Sequence, residues 1–375
     1  MSDQDELLGE YKEHLLGVFG DPSLVLVSGE GVYVTDANDK RYLDLLAGIA
    51  VNALGHAHPA WVRAVSEQAG TLAHISNLFT SPGSIHLAEK LLKVTGAPEG
   101  SHVFFANSGS EANEAAFKLA RRHGRAHPDA QGQPRTRVLA LENSFHGRTM
   151  GSLALTAKAA YREPFEPLPA GVTHIPATAE ALERELDDTV SAVFVEPVQG
   201  EAGVHGLPEG FLALARRLTR ERGALLIVDE VQSGMGRTGA WLAATAQLPQ
   251  GEFPDAVTFA KGLGGGYQPI GAMLASGSIV DTVRNGSGAF QHGHTYLAHP
   301  LACAAALEVQ KVISEERLLD QVKERGRQLE QRLVERFGNH RHVGDIRGRG
   351  LFWGIELVAD RGTRQSFDPK LKLHQ

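Results

Sequence analysis

The sequence is poor in cysteine and in aromatic residues, and it has no long apolar run. Its 375 residues include 6% aromatics and a single cysteine, Cys303, which excludes an intramolecular disulfide framework and fits a reducing compartment. No apolar stretch approaches the roughly 18–20 residues of a membrane-spanning helix. Residues 1–6 are acidic, whereas a targeting segment would be basic. We therefore expect a cytoplasmic protein with no membrane partner.

The sequence also has no strong excess of one charge sign. The 37 basic and 44 acidic residues give a net charge of −7 and are interspersed, which argues against nucleic acid as a partner. The remaining composition, with 42% hydrophobic residues and 42 glycines, is typical of a globular protein. The length predicts two or three domains of about 150 residues each.

The middle of the chain alternates short apolar runs with helix-length segments, such as 111–123 and 208–222. This alternation predicts an α/β fold with a mostly parallel central sheet. The strand candidates are residues 102–106, 137–141, 191–196, 224–229, 256–260 and 271–275. In such sheets ligands bind beyond the carboxyl ends of the strands, so the residues that follow each strand are the candidates for a site.

The two ends of the chain differ from this middle part. Helical patterns occur at 6–18, 300–313 and 315–337, and strand-like runs at 32–35, 42–45 and within 343–358. We therefore expect an N-terminal segment (1–55) that packs with a small α+β domain (299–375), and a large α/β domain (56–298) between them.

Small polar residues follow the first predicted strand. Ser108 and Glu111 have the spacing of a capping box, which predicts that a helix begins here. Gly109 lets a ligand approach the backbone, Ser110 offers a hydroxyl group, and the free N–H groups of a first helical turn favour a phosphate. The alternative is a helix cap without a ligand.

Two acids, Asp229 and Glu230, follow the apolar residues of strand 224–229. A carboxylate at this position can hold a cation, either a metal or a protonated ring nitrogen. The alternative is an exposed acid, or one that caps the next helix. The glycines of 234–239 match the dinucleotide-binding pattern G-x-G-x-x-G, but they lie several residues beyond the strand. A nicotinamide-dependent oxidoreductase therefore stays only as an alternative.

Lys261 ends the apolar strand 256–260 and precedes a run of glycines. It is the only lysine between Lys158 and Lys311, in a chain that otherwise prefers arginine. An amine nucleophile cannot be an arginine, since the pKa of arginine is too high, and partial burial lowers the pKa of a lysine. A structural lysine at a strand end is the alternative.

Two more segments carry polar side chains. Phe145 can stack on a ring and Arg148 can bind a carboxylate. His292 and His294 alternate in a later loop, but no third ligand is spaced around them, so we expect no metal site. A phosphate site, a ring-stacking residue, an acid for a ring cation and a solitary lysine together indicate pyridoxal 5′-phosphate as the cofactor.

The combined motifs resemble those of the class III pyridoxal-phosphate aminotransferases. The matching stretches are residues 48–56, 107–114, 145–149, 196–203 and 229–239, and Lys261 falls where this family has its Schiff-base lysine. The resemblance covers nearly the whole chain and implies the fold-type-I architecture. Up to about Gly264 the sequence is most similar to family members that act on N-acetylornithine. Beyond it the sequence is closer to a broader ω-amino-acid branch, and His294 stands where the acetylornithine enzymes usually have serine.

The resemblance implies a role for each candidate residue. The cofactor would be held by Gly109, Ser110, Phe145, Asp229, Glu230, Val231, Gln232 and Lys261, and by Thr295 of the neighbouring subunit in a homodimer. Arg148, Glu201 and His294 would bind the small-molecule amino donor and 2-oxo acid.

The implied reaction is a ping-pong transfer of the ω-amino group of N-acetylornithine to 2-oxoglutarate, giving N-acetylglutamate semialdehyde and glutamate. An ω-aminotransferase for 4-aminobutyrate, ornithine or another ω-amino acid is the first alternative. Family members continue past the position where this sequence ends, so we expect the small domain to be incomplete. A truncated, non-catalytic cofactor-binding remnant is the second alternative.

Overall fold

The computed structural model describes residues 3–371 and 373. The strands are β1 (Leu26–Glu30), β2 (Tyr33–Asp36), β3 (Arg41–Leu43), β4 (His102–Ala106), β5 (Arg137–Leu141), β6 (Val172–Ile175), β7 (Val190–Val195), β8 (Val198–Gln199), β9 (His205–Gly206), β10 (Leu225–Asp229), β11 (Ala256–Phe259), β12 (Gly271–Ala275), β13 (Val343–Arg349), β14 (Phe352–Asp360) and β15 (Gln365–Ser366). The helices are α1 (Asp3–His14), α2 (Ala47–Ala50), α3 (Pro59–Thr71), α4 (Pro82–Thr95), α5 (Gly109–Ala126), α6 (Met150–Leu155), α7 (Ala159–Arg162), α8 (Ala179–Glu185), α9 (Phe211–Arg222), α10 (Gly277–Gly286), α11 (Pro300–Glu315) and α12 (Leu318–Phe337). Short 3₁₀ turns occupy Glu163–Phe165, Ala243–Ala246, Lys261–Leu263 and Pro369–Leu371.

A seven-stranded sheet forms the centre of the molecule. Its strand order is β4-β12-β11-β10-β7-β5-β6, and every strand except β12 runs in the same direction. The predicted α/β class with a mostly parallel sheet is therefore confirmed. All six predicted central strands are present, with ends that differ by at most one residue.

Helices cover both faces of this sheet. Successive strand residues point to opposite sides, so each face packs against its own set of helices. Along β7, Ala192 and Phe194 pack with α5, whereas Val193 and Val195 pack with α8 and α9. A third apolar cluster joins α4 and α11 to β11 and β12. Burial on both faces explains why these strands are continuous apolar runs rather than alternating ones.

The ends of the chain form smaller sheets of their own. Strands β1–β3 make one antiparallel sheet and β13–β15 another. The N-terminal helix ends at His14, four residues before the predicted end. The two long C-terminal helices are separated at Arg317, whose φ of +54° breaks the helical backbone. The division into domains stays a prediction.

The glycine-rich segment 234–239 is a series of turns. No helix begins in it, so the strand–turn–helix arrangement that a dinucleotide fingerprint requires is missing at this position. Within residues 3–371, no helix combines the length and apolar character needed to cross a membrane.

Candidate active site

A cavity of about 460 Å³ lies at the carboxyl ends of the parallel strands. The strand ends bring to it Asn107 after β4, Phe145 after β5, Glu196 after β7, Asp229 at the end of β10 and Lys261 after β11. This volume is within the range of about 300–1,000 Å³ that is typical of small-molecule sites. The site therefore lies where an α/β sheet places its ligands.

The N-terminus of α5 forms one wall of the cavity. Ser108 is the N-cap residue, and its Oγ accepts a hydrogen bond from the Glu111 N–H at 3.1 Å. The Glu111 carboxylate in turn accepts from the Asn107 N–H at 2.7 Å. The first N–H groups of a helix have no intrahelical partner, so Gly109 and Ser110 present donors suited to a phosphate. A Cβ at Gly109 would come within 2.8 Å of Val231, which explains glycine at this position.

Asp229 lies 4% exposed at the floor of the cavity and is held by three neighbours. Its Oδ2 accepts from the side-chain amide of Asn113 at 2.7 Å and lies 2.8 Å from Nδ1 of His146, while Oδ1 accepts from the Val231 N–H at 2.9 Å. These contacts fix the position of the buried carboxylate. The Nε2 atom of His146 is buried without a partner among the described residues, which fits a tautomer whose proton is on Nδ1.

Lys261 adopts the left-handed backbone conformation, with a φ of +39°. Such strain in a non-glycine residue is often found at functional sites. Its Nζ lines the cavity and donates to the carbonyl oxygen of Ile49 at 3.2 Å. Burial lowers the pKa of the Lys261 amine, while the charges of Glu201 and Asp229 act in the opposite direction. The lowered pKa increases the fraction of neutral amine, which is the nucleophilic form.

The loop after β5 forms the opposite wall. Phe145 and Arg148 both line the cavity, and the Ser110 hydroxyl accepts from the Arg148 N–H at 2.9 Å and from the Thr149 N–H at 3.0 Å. The Phe145 N–H donates to Oε2 of the buried Glu196 at 2.9 Å. Burial, and then the charge of Asp229, raise the pKa of Glu196 well above its usual value.

Most of the predicted cofactor residues are brought together in this cavity. Its lining contains Gly109, Ser110, Phe145, Asp229, Val231, Gln232 and Lys261, together with the predicted substrate residue Arg148. Glu230 is directed elsewhere: its carboxylate accepts from Ser233 at 2.5 Å and from the Ala244 N–H at 2.7 Å, and burial raises its pKa to about 7.

Three other predicted residues lie outside the lining. Glu201 lines an adjacent cavity and accepts from the Gln232 side chain at 3.1 Å. His294 lies 3.2 Å from the side-chain amide of Asn107 and 3.4 Å from the Glu111 carboxylate. Thr295 is exposed and contributes nothing to this chain's own cavity.

The residues present fit pyridoxal 5′-phosphate. The α5 N-terminus suits the phosphate, the buried Asp229 suits a protonated ring nitrogen, and Lys261 supplies an amine on the same cavity. The lining is mostly apolar with a few convergent polar groups, which suits a flat aromatic ring.

The interpretation of the sequence missed Asn113 and His146, which hold Asp229. The sequence contained a local signal for each of these two residues. Asn113 lies four residues after Gly109 and therefore on the same face of α5, and His146 lies directly between Phe145 and Gly147. The sequence alone did not indicate their partner, because Asp229 lies 116 and 83 residues away.

Comparison with known proteins identifies relatives over nearly the whole chain. The profile of the Aminotransferase class-III family matches residues 19–372. The acetylornithine aminotransferase of Mycobacterium bovis is 47% identical over 346 residues, which are 92% of this chain and 82% of that protein. The crystal structure of an (S)-enantioselective ω-transaminase from Thermomicrobium roseum superposes with a TM-score of 0.89 at 35% identity, covering 98% of this chain and 88% of the other. A pyridoxal-phosphate-bound amine transaminase from an uncultivated Pseudomonas species has a TM-score of 0.87 at 33% identity, covering 96% and 86%.

Proposed function

The chain belongs to the class III aminotransferases, enzymes that depend on pyridoxal 5′-phosphate, and we propose that it transfers the ω-amino group of N-acetylornithine to 2-oxoglutarate. The products would be N-acetylglutamate semialdehyde and glutamate. The observation that carries this proposal is the 47% identity to an acetylornithine aminotransferase over 92% of the chain. It is supported by the cavity that joins Lys261 to Asp229 and Arg148.

In this proposal the cofactor is held at both ends. The N–H groups of Gly109 and Ser110 would bind its phosphate, and Asp229 would keep a proton on its ring nitrogen. Phe145, Val231 and Gln232 would hold the ring. When bound, the cofactor ring withdraws electrons from the carbon that bears the substrate amine and carries the amino group between the two substrates.

Lys261 would hold the cofactor between turnovers, and its amine, once free, would transfer protons during the reaction. The partly buried Nζ has a lowered pKa, so the neutral amine can accept the proton from the substrate carbon that bears the amino group. The resulting ammonium can donate that proton in a later step. The Ile49 carbonyl accepts a hydrogen bond from Nζ at 3.2 Å and restrains the amine.

Arg148 would bind the carboxylate at the end of the substrate remote from the reacting amine. Glu201 would act as a gate between the two substrates, and its hydrogen bond to Gln232 supports this role by linking it to the cavity wall. His294 would approach the substrate from beside Asn107, which itself lines the cavity.

A homodimer completes the proposed site. Large apolar side chains near it are exposed in the single chain, including Leu45, Leu46, Leu78 and Phe79 at 70–87%. Exposed apolar patches of this kind mark interfaces. The side chain of Asn77, next to this patch, donates to the His294 carbonyl at 2.8 Å. A second subunit on this surface would bring Thr295 to the phosphate of its partner's cofactor.

Steady-state kinetics with several amino donors tests the proposed substrate. We expect kcat/KM for N-acetylornithine, with 2-oxoglutarate as acceptor, to exceed that for ornithine and for 4-aminobutyrate. Equal or higher values for 4-aminobutyrate or ornithine would favour the second candidate, an ω-aminotransferase of different specificity. The likeness to the Thermomicrobium roseum ω-transaminase supports that candidate.

A further inference from the structure

Arg148 is held by an aromatic ring rather than by an acid. Its guanidinium carbon lies 3.6 Å from the ring centroid of Tyr161 and 5.7 Å from that of Phe145. No carboxylate of residues 3–371 forms an ion pair with it, and its side chain donates no hydrogen bond there. Tyr161 lies in the short helix α7, and its ring meets Phe145 edge-on at 6.5 Å.

This arrangement leaves the binding edge of Arg148 free. A cation–π contact engages the flat face of the guanidinium, whereas its N–H donors point outward in the plane. An ion pair with an acid would occupy those donors and neutralise the charge. Tyr161 therefore orients Arg148 and leaves its donors available for a ligand carboxylate.

Lys158 also contacts Tyr161, and Arg162 follows Tyr161 in the chain and lines the same cavity. Nζ of Lys158 lies 4.6 Å from the ring centroid and 3.5 Å from the hydroxyl oxygen. Nη1 of Arg162 lies 3.5 Å from Nδ1 of His174, and its Nε is buried without a partner in the described part of the chain. Burial lowers the pKa of His174, which keeps this histidine neutral and able to accept from Arg162.

These cations adjoin a second cavity of about 490 Å³ that shares Phe145 with the main one. Its lining also contains two acids, Glu142 and Glu201. Neither acid lies within ion-pair distance of Lys158, Arg162 or Arg148, as far as the described residues show. The positive charges near Tyr161 are therefore not paired directly.

We propose that Tyr161 is a positioning residue that determines substrate specificity. It holds Arg148 ready for the remote carboxylate of an acidic substrate, and Lys158 and Arg162 strengthen the attraction for that carboxylate. The inference rests on the proposed carboxylate-binding role of Arg148. Tyr161 does not line the main cavity, so it would set the preference for acidic over neutral substrates through Arg148.

The test compares Tyr161→Leu, which removes the aromatic face, with Tyr161→Phe, which keeps it. The readout is the ratio of kcat/KM for glutamate to kcat/KM for alanine as amino donors. We expect Tyr161→Leu to lower this ratio about three- to thirtyfold, which corresponds to one cation–π contact, mainly through KM for glutamate. Tyr161→Phe should keep the ratio. An unchanged ratio in Tyr161→Leu, or a loss in both variants, would overturn the proposal.

A second measurement separates positioning from a general effect on folding. In an Arg148→Gln background, Tyr161→Leu should not lower the ratio further, because Tyr161 acts through Arg148. A further loss of similar size would contradict this.

Lys158→Gln should raise the dissociation constant of glutarate, a dicarboxylate without an amine, whereas Arg325→Gln on the exposed face of α12 should not. Equal effects of the two variants would also count against the proposal.

Neither readout depends on N-acetylornithine. An enzyme that rejects N-acetylornithine but loses its preference for glutamate in Tyr161→Leu would refute the proposed donor and support the inference.

Discussion

At the scale of single residues, Asp229 is held by a hydrogen-bond network that spans three elements. Asn113 on α5 donates to Asp229, and its own side-chain oxygen accepts from the Thr258 hydroxyl on β11 at 2.8 Å. His146, in the loop after β5, contacts the same carboxylate oxygen. These donors satisfy the buried carboxylate and hold it in place for pairing with a ring cation.

Replacing His146 tests this network. His146→Phe keeps an aromatic ring beside Phe194 but removes the donor to Asp229. Hydrogen bonds to charged groups contribute about 1.5–3 kcal/mol, so we expect the dissociation constant of pyridoxal phosphate to rise at least about tenfold. Titration of the apoprotein with cofactor measures it. An unchanged dissociation constant would show that Asn113 and the Val231 N–H suffice.

The raised pKa of Glu230 affects the stability of the folded protein. Its pKa is about 7 in the folded protein against an ordinary 4.5, so between these values the folded state binds a proton that the unfolded state has lost. Stability therefore falls as pH rises through this window, by up to about 3 kcal/mol at 1.4 kcal/mol per pKa unit.

Glu230→Gln removes the ionisation and keeps a side chain that can bond to Ser233 and Ala244. The melting temperature of the variant minus that of the native chain should be larger at pH 8 than at pH 5. A difference that does not depend on pH would contradict the raised pKa.

At the scale of elements, the first turn of α5 connects local sequence to cofactor binding. Ser108 is its N-cap, and loss of such a cap costs about 1 kcal/mol. Ser108→Ala should lower the free energy of unfolding by this amount and also weaken cofactor binding, since the adjacent Gly109 and Ser110 N–H groups lose their fixed orientation.

Thr178→Ala is the matched control, because Thr178 caps α8 in the same way with its hydroxyl 3.2 Å from the Ala181 N–H. Chemical denaturation and cofactor titration of both variants provide the comparison. Equal effects on cofactor affinity would remove the special role of the α5 cap.

The elements also show what sequence patterns can predict. Buried strands such as β10 and the capped start of α5 were predictable, because apolar runs and cap residues are local signals. Strand β6 (Val172–Ile175) was missed because it is an edge strand of four residues that contains Thr173 and His174. The reversed direction of β12 was not predictable, since direction depends on the path of the preceding loop. The strand ends indicated Lys261 and Asp229, because both residues stand at the end of an apolar run. They did not indicate the stacking of Arg148 on Tyr161, because that contact depends on the path of a loop.

At the scale of the whole molecule, the proposed homodimer would complete each site with a residue of the neighbouring subunit. Thr295 takes no part in the cavity of its own chain, while the apolar surface around Leu78 and Phe79 is exposed. If Thr295 serves the partner's cofactor, Lys261→Ala on one subunit and Thr295→Ala on the other fall in the same site of a mixed dimer and leave the second site intact.

Co-expression of these two variants with different affinity tags tests the arrangement. A mixed dimer should contain one site without either substitution and recover up to about half of the native activity per dimer, whereas each parent alone should be impaired. Activity of the mixed dimer equal to the mean of its parents would place Thr295 at its own chain's site, or at none.

The visible absorption spectrum of the purified protein with pyridoxal phosphate tests the central claim most directly. We predict a band from lysine-bound cofactor that converts to the pyridoxamine form on addition of N-acetylornithine and returns with 2-oxoglutarate. The Lys261→Ala variant should show neither the band nor the conversion. A lysine-bound band that N-acetylornithine leaves unchanged would contradict the proposed reaction, and an unaltered band in Lys261→Ala would contradict the assignment of the site.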